Sequence, residues 1–531
     1  MTQAIKKAVV GFRQYLLRGL RAARGEGSLL TRAPHMPQAA PIAAIDLGSN
    51  SFHLVVAEPQ NGHFKVLDRM REVTRLASGM DGDSRLTDIA MDRALASLHR
   101  FGERVRHLPH AAVRAVGTNA LRRARNSQPF LRRAEAALGH PIDVVSGIEE
   151  ARLIYLGVSH GFAEDSGLRL VMDIGGGSTE LIIGQHHEPI AMESLHMGCV
   201  SMTERYFGDG RIDAKRLRAA EIAARQEFEP IEEAFRAQGW QAAIGASGSL
   251  LAIADSLATH GWSDDGITRA GLQKLRAALI DLGRVDELAR FGVRDDRCPV
   301  FAGGCAIALG AFEELRIERM QVSDSALREG VLYDLMGRIH HEDVRPQTVN
   351  TLMQRFQADR AHVARVTATA KMLLDQTAAQ WALRGQEYEQ LLHWATCLHE
   401  IGTTVSHSQY HKHGAYLLQY LDMPGFSRGE QRQLAFLVRG HRRKFPLVEL
   451  AALTDLEQVV CRRLCVLLRL AVVLHRSRRA TPLPALELTV DESWLKLVLP
   501  KDWLDAHALV AADLEQEASY LKAIGFRLKL K

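Results

Sequence analysis

Apolar residues at Ile5, Val9, Phe12, Leu16 and Leu20 recur at helical spacing with cations between them, so the chain opens as a basic amphipathic helix. A linker carrying Pro34, Pro37 and Pro41 ends it. From Ile42 the period shortens to that of strands. IAAIDLGSNSFHLVVAEP reads as an apolar strand, a Gly-Ser-Asn-Ser turn and a second strand. A helix over 88–108, the strand AAVRAVG, a helix over 121–138, the strand PIDVVSG and a helix from about Glu149 follow. At 168–189 the opening pattern returns, as LRLVMDIGGGSTELIIGQHHEP. The repeat sets Asp173 127 residues after Asp46 and predicts a duplicated α/β domain, with ligands in the cleft between the copies. Beyond residue 345 helical patterns dominate, over 351–383, 388–399, 413–421, 430–441 and 457–478. LELTVD and WLKLVLP then read as paired strands, 506–524 as a helix and FRLKLK as a last strand. The expected layout is an arm and linker over 1–41, α/β domains over 42–153 and 154–340, a helical domain over 345–480 and a small α+β subdomain over 481–531.

Composition narrows the function classes. The chain has 531 residues, 47% hydrophobic and 24% charged, which suits several folded domains and argues against long disorder. Its six cysteines form no CxxC pair, so a disulfide framework or zinc finger is excluded and a reducing, cytoplasmic setting is expected. No apolar run approaches the roughly 18–20 residues of a membrane span. The net charge of +5 comes from the first 40 residues, where seven basic groups face one acid. That arm suits peripheral contact with an anionic membrane. The remainder is close to neutral, so no nucleic-acid partner is expected and a polyanion would need a local stripe. One lies at 439–479, where ten Lys/Arg, including Arg439, Arg442, Arg443 and Lys444, accompany Glu449, Asp455 and Glu457 alone.

Glycine and hydroxyl residues just after a strand bare backbone N–H groups that bind phosphate oxygens. Gly48-Ser49-Asn50-Ser51 and Gly175-Gly176-Gly177-Ser178-Thr179 occupy equivalent places in the repeat, and Gly248 and Ser249 belong to a third such turn. One glycine turn is ordinary; two duplicated ones, each after a strand ending in Asp, point to phosphate between two lobes. Asp46, Asp173 and Glu180 add hard oxygen ligands suited to Mg²⁺. In SGIEEARLIYLGV, Ser146 reads as an N-cap with Glu149 and Glu150 in the first turn, where acids are favoured anyway. Capping explains one Glu. The other is a candidate base for an attacking water, a role that needs a carboxylate free of a strong cation partner. Arg122, in GTNALRRARN, offers charge to a phosphoryl group.

The segments AIDLGSNSFHLVVA, VGTNALRRARN, VVSGIEEARLIYLGV, VMDIGGGSTELIIG, MGCVSMTERYF, IGASGSLLAIA and VSDSALREGVLYD resemble, in order, the exopolyphosphatase/guanosine pentaphosphate phosphohydrolase family. LHEIGTTVSHSQYHKHGAYLLQ, MPGFSRGEQ, LVRGHRRK and LRLAVVLH are similar to its long exopolyphosphatase subtype. The resemblance implies two actin-like lobes (the ribonuclease H-like fold of sugar kinases and chaperone ATPases) and a helical domain similar to His-Asp phosphohydrolases. It implies Glu150 as general base, Arg122 as a substrate contact, Asp173 and Glu180 as Mg²⁺-linked acids, and a homodimer. The implied reaction is removal of the terminal phosphate of linear polyphosphate, with guanosine pentaphosphate as the alternative substrate and a nucleotide-binding actin-like protein or kinase as the competing class. Arg439, His441, Arg442, Arg443 and Lys444 are then expected to guide the polymer. The helical region departs from the His-Asp pattern: His362 stands where a first ligand would, but Glu400 follows His399 in place of Asp, and LRLAVVLH lacks the later Asp. Its histidines are therefore expected to serve packing or phosphate contact.

Overall fold

β1 (Ile42–Leu47) carries apolar side chains on both faces and is almost wholly buried, as a central strand must be. It pairs antiparallel with β2 (Ser51–Gln60) and parallel with β4 (Val113–Gly117). With β3 (His63–Val73) and β5 (Ile142–Val144) they form a five-stranded sheet, ordered β3-β2-β1-β4-β5. The computed structural model describes residues 40–60, 63–162, 167–339 and 343–531, so the basic amphipathic arm lies outside the described residues. Among the described residues no helix is long and apolar enough to cross a membrane.

The second sheet holds β6 (Arg169–Ile174), β7 (Thr179–Gln185), β8 (Glu188–Leu195), β9 (Ala242–Gly245), β10 (Ile267–Thr268) and β11 (Arg319–Val322), ordered β10-β11-β9-β6-β7-β8. Its middle strand β6 pairs antiparallel with β7 and parallel with β9, the pairings that β1 makes with β2 and β4. Asp46 stands opposite His53, and Asp173 opposite Glu180.

Two helices, Gly147–Ser159 and Leu327–Ile339, share a buried layer with both sheets: Leu153, Ile154, Val158, Leu332 and Leu335 pack with Ile42, Ala44 and Val55 of the first and Val171, Ile182 and Ile244 of the second. They cross in backbone contact, since a Cβ on Gly330 would stand 1.7 Å from the Leu153 carbonyl oxygen. The first helix runs without a break through the boundary expected at 153/154.

Residues 343–531 share a third core. The sheet of β12 (Glu487–Val490), β13 (Trp494–Val498) and β14 (Arg527–Leu530) contributes Leu488, Leu495 and Leu497 to the same buried cluster as Trp381, Leu434 and Leu467. The expected α+β tail thus has no core of its own. The helix expected over 351–383 is two, Arg345–Arg355 and Arg360–Thr377, broken where Gln357 takes φ 51°. That over 121–138 is likewise two, Asn119–Arg123 and Ser127–Leu138. Sequence patterning passed over β3, whose side chains are charged and largely outward, and the helix Cys298–Glu314, apolar all round and buried all round.

Buried charges tie the α/β region to the helical one. Glu149, fully buried, accepts from Arg152 at 2.7 and 2.8 Å and from the backbone N–H of Gly425 at 2.7 Å. Arg338 donates to Asp334 at 2.8 Å and to the Gly425 carbonyl at 2.7 Å. Asp334 also bonds Arg114 and Arg152. Burial pushes the Asp334 carboxyl up, but those three guanidiniums outweigh it and hold it well below the usual carboxylate range. Glu149 is therefore a tie between regions rather than the helix-capping acid expected; Ser146 does the capping, accepting from the Glu149 N–H at 3.1 Å. Glu149→Ala leaves Arg152 short of an anion and the Gly425 N–H unpaired, and should cost about 3–5 kcal/mol. Urea unfolding monitored by circular dichroism measures this, with Glu149→Gln expected to lose less.

Candidate active site

The two glycine turns meet at the floor of one cavity of about 320 Å³, between the two sheets. A Cβ on Gly176 would stand 2.8 Å from the Cβ of Ser49, so the turns abut and only glycine fits there. Each is held from behind by its carbonyls. Asn50 O accepts from the Thr74 and Arg75 N–H groups at 3.1 and 2.8 Å, and Ser49 O from that of Ala77 at 2.9 Å. Gly175 O and Gly176 O accept from the Cys199 and Val200 N–H groups, both at 2.9 Å, at the start of the helix Cys199–Phe207.

Gly48, Ser49, Asn50, Ser51, Gly175, Gly176 and Ser178 line the cavity, as do Gly248 and Ser249 at the N-terminus of the helix Gly248–Thr259. That end is N-capped by Ser247 and points its dipole at the cavity. Two residues of the second turn depart from expectation. Gly177 packs on Asn119, where a Cβ would meet Oδ1 at 2.4 Å, and the buried Thr179 donates its hydroxyl to Met197 O at 2.8 Å. The close return of the chain to Gly198 and Asn119 turns both away from the cavity.

Asp46, Asp173 and Glu150 all line the wall. Glu180 stands behind it, 1% exposed, and accepts from Ser194 Oγ at 2.8 Å. Burial, then the charge of Glu150, raises the Asp46 carboxyl to about 8 and the Asp173 carboxyl to about 7, with the arginines opposing. The same two causes push Glu180 well above its ordinary value. Asp46 Oδ1 is buried with no hydrogen-bond partner among the described residues. Crowded carboxylates that resist ionisation, one with an orphaned oxygen, fit the chemistry of a hard divalent cation such as Mg²⁺, which Asp46 and Asp173 could hold, with Glu180 behind them.

Glu150 is not free of a cation. Arg122 Nη1, on the short helix after β4, donates to Glu150 Oε2 at 2.6 Å and to Val145 O at 3.1 Å. This corrects the expectation of an unpaired base: two residues read separately from sequence form one pair at the cavity edge. The cavity is also more cationic than the motifs suggested, because Arg71, Arg294, Arg297 and Arg328 line it. Arg71 is held by Asp296 at 2.6 Å. His53, opposite Asp46, bonds Ser51 Oγ at 2.9 Å and meets Arg328 at 3.3 Å; burial, then Arg328, lowers it to about 3, so it is a neutral imidazole. Arg328 could have been found in VSDSALREG and His53 in SNSFHL, whereas Arg71 and Arg297 sit in stretches with no local pattern.

The basic stripe breaks up on folding. Arg469 is fully buried and bonded to Glu517; Arg476 pairs with Asp513 and Arg478 with Glu400. His441 is also buried, donating from Nδ1 to Val438 O at 2.6 Å, so it cannot face a polymer. Arg439, Arg442, Arg443 and Lys444 stay together, lining a second cavity of about 620 Å³ with Lys412 and His411.

Residues 55–339 match the Ppx/GppA phosphatase family, and residues 344–518 match Ppx/GppA phosphatase, domain III. The chain is 39% identical over 491 residues to a guanosine-5'-triphosphate,3'-diphosphate pyrophosphatase of Aeromonas hydrophila, covering 92% of this chain and 98% of the relative. It is 39% identical over 489 residues to the protein of that name from Photobacterium profundum, covering 92% and 97%. Among solved structures, an exopolyphosphatase from Cytophaga hutchinsonii aligns with TM-score 0.51 and 27% identity over 56% of this chain and 98% of that one. An exopolyphosphatase-like protein aligns with TM-score 0.52 and 25% identity over 57% and 99%.

The raised carboxyls set a pH dependence. An acid that holds its proton more tightly when folded stabilises the fold at low pH, and that contribution fades as pH rises from about 4, the unfolded value, to the folded values of about 7 and 8. Relative to Asp46→Asn, whose buried histidines titrate alike, the melting temperature of Mg²⁺-free wild type should therefore fall across pH 5–9. The increment on adding Mg²⁺, which needs the ionised carboxylates, should grow over the same window. Scanning fluorimetry checks both, and Asp46→Asn should flatten the Mg²⁺ increment.

Proposed function

The chain belongs to the Ppx/GppA phosphatase family, hydrolases of phosphoanhydride bonds, and on that footing we propose that it removes the terminal 5′ phosphate of guanosine pentaphosphate. The observation that carries this choice of substrate is the 39% identity, over nearly the whole of both chains, to relatives named for that nucleotide. It reverses the order expected from sequence, where linear polyphosphate came first.

The two α/β halves act as copies of one actin-like unit closing on the substrate. The turns at Gly48 and Gly175 and the N-terminus at Gly248 receive phosphate oxygens, while Arg297 and Arg328 offset their charge. Glu150 and Arg122 are divided by the substrate: the guanidinium moves to the terminal phosphoryl group, and the freed carboxylate takes a proton from water. The water oxygen bonds to phosphorus in line, the bridging P–O bond breaks, and the electron pair leaves with the nucleoside diphosphate end. Mg²⁺ at Asp46 and Asp173 would supply charge neutralisation at the phosphate chain.

The cluster Arg439, Arg442, Arg443 and Lys444 favours a second substrate, linear polyphosphate, held along its length by charge. Phosphate release at matched Mg²⁺ should give a higher kcat/KM on guanosine pentaphosphate than on long polyphosphate; the reverse ranking sinks the nucleotide assignment. Glu150→Gln should lower kcat roughly 10²–10⁴-fold on either substrate with little change in KM. Reversing Arg442, Arg443 and Lys444 to Glu should impair long polyphosphate more than tripolyphosphate, and equal losses would refute the polymer contact.

A further inference from the structure

Buried imidazoles are hydrogen-bonded as a rule, because an orphaned ring nitrogen loses its water and gains nothing in return. Four in the helical region break that rule together: His362 Nδ1, His399 Nε2, His411 Nδ1 and His441 Nε2 have no partner among the described residues. All four residues are 5% exposed or less. They come from separate elements, the helix Arg360–Thr377, the end of Gln386–Leu398, the helix Tyr410–Tyr420 and the end of Arg428–Gly440. The tertiary fold nonetheless gathers them. Ring centroids of His362 and His399 lie 5.8 Å apart, those of His399 and His441 5.3 Å, and those of His411 and His441 6.3 Å.

Two of the rings are set in the tautomer that a metal requires. His399 Nδ1 bonds Thr396 O at 2.7 Å and His441 Nδ1 bonds Val438 O at 2.6 Å. A carbonyl oxygen only accepts, so the proton sits on Nδ1 in both, and each orphaned Nε2 carries a lone pair. A backbone carbonyl fixing the far nitrogen is the usual outer support of a ligating histidine. Glu400 completes the group: donor atoms of His362, His399 and Glu400 lie within 4.8 Å of one another. Its carboxylate is steadied by Arg478 at 2.5 Å, as an outer partner steadies a ligating acid.

We propose that His362, His399 and Glu400, with His441 as a fourth donor, form a second metal site that takes a divalent first-row transition ion such as Zn²⁺ rather than Mg²⁺. Imidazole nitrogens with one carboxylate oxygen are the donors such ions prefer, whereas Mg²⁺ takes oxygen. Tetrahedral zinc sets its donors about 3.3 Å apart, so binding draws the present ring atoms inward. The site is separate from the phosphate cleft, and His411, whose ring centroid lies 6.3 Å from that of His441, lines the cationic cavity. The replacement of Asp by Glu after His399, which argued from sequence against a metal, lengthens the acid by one methylene and leaves its oxygen within reach.

The test uses the full-length protein, stripped with chelator and titrated with Co²⁺ and with Zn²⁺. Wild type should bind one equivalent of Co²⁺ with a visible absorption band of nitrogen ligation, displaced by Zn²⁺, and should melt higher with Zn²⁺ bound. Asp46→Asn should keep that equivalent. His399→Gln and, separately, His362→Gln should lose it or bind at least tenfold more weakly. Absence of a tightly bound transition ion in wild type overturns the proposal by itself, as does binding that survives both histidine substitutions in folded protein. Phosphate release does not enter the readout, so failure here leaves the phosphohydrolase reading untouched.

Discussion

The burial of several carboxylates around one small cavity is the constraint on which this molecule turns. Burial is the largest cost of ionising Asp46, Asp173 and Glu180, and the charge of Glu150 adds to it for all three. No chain would keep such an arrangement for stability alone. It persists because the sheets that carry these acids are anchored elsewhere, by apolar layers and by the close backbone crossing of the helices Gly147–Ser159 and Leu327–Ile339. The cavity thus holds unfavourable electrostatic energy that a bound divalent cation would relieve, the kind of preorganisation that phosphoryl transfer exploits.

Glu149 and Glu150 show how one helix turn serves two ends. Consecutive positions on a helix point about 100° apart. Glu149 therefore turns into the arginine network and the Gly425 loop while Glu150 faces the cavity. The Arg122 contact gives Glu150 a defined resting position, and the same guanidinium is suited to phosphate. On the proposed mechanism, a pair that substrate divides would hold the acid in place without consuming it. Through Glu149, the position of that helix is tied to the helical region, so the two halves of the chain are not mechanically independent.

The helical region follows the opposite electrostatic logic. His362, His399 and His441 are lowered by burial first, and each has a ring nitrogen with no partner among the described residues. The cations outside form a compact cluster instead of the extended track expected, because arginines on helices also serve as structural ties. Arg469 to Glu517 and Arg478 to Glu400 are the examples.

Much of this was legible in the residues. The strand–turn–strand pattern at Asp46 and its return at Asp173 follow from local periodicity and turn chemistry, which a sequence states directly; so do the glycine turns, the Ser146 cap and the candidate acids. Periodicity did not separate a polar edge strand such as β3 from loop, or reveal a helix buried on every side. Distances between remote residues are decided by packing alone. That is why the pairing of Arg122 with Glu150, the burial of His441, the retreat of Thr179 and Glu180 behind the wall, and the convergence of His362, His399 and His441 belong to the tertiary structure. The sequence determined which chemical groups exist and on which local elements they ride; only the folded chain decided which of them meet, because contact across hundreds of residues depends on how whole layers stack.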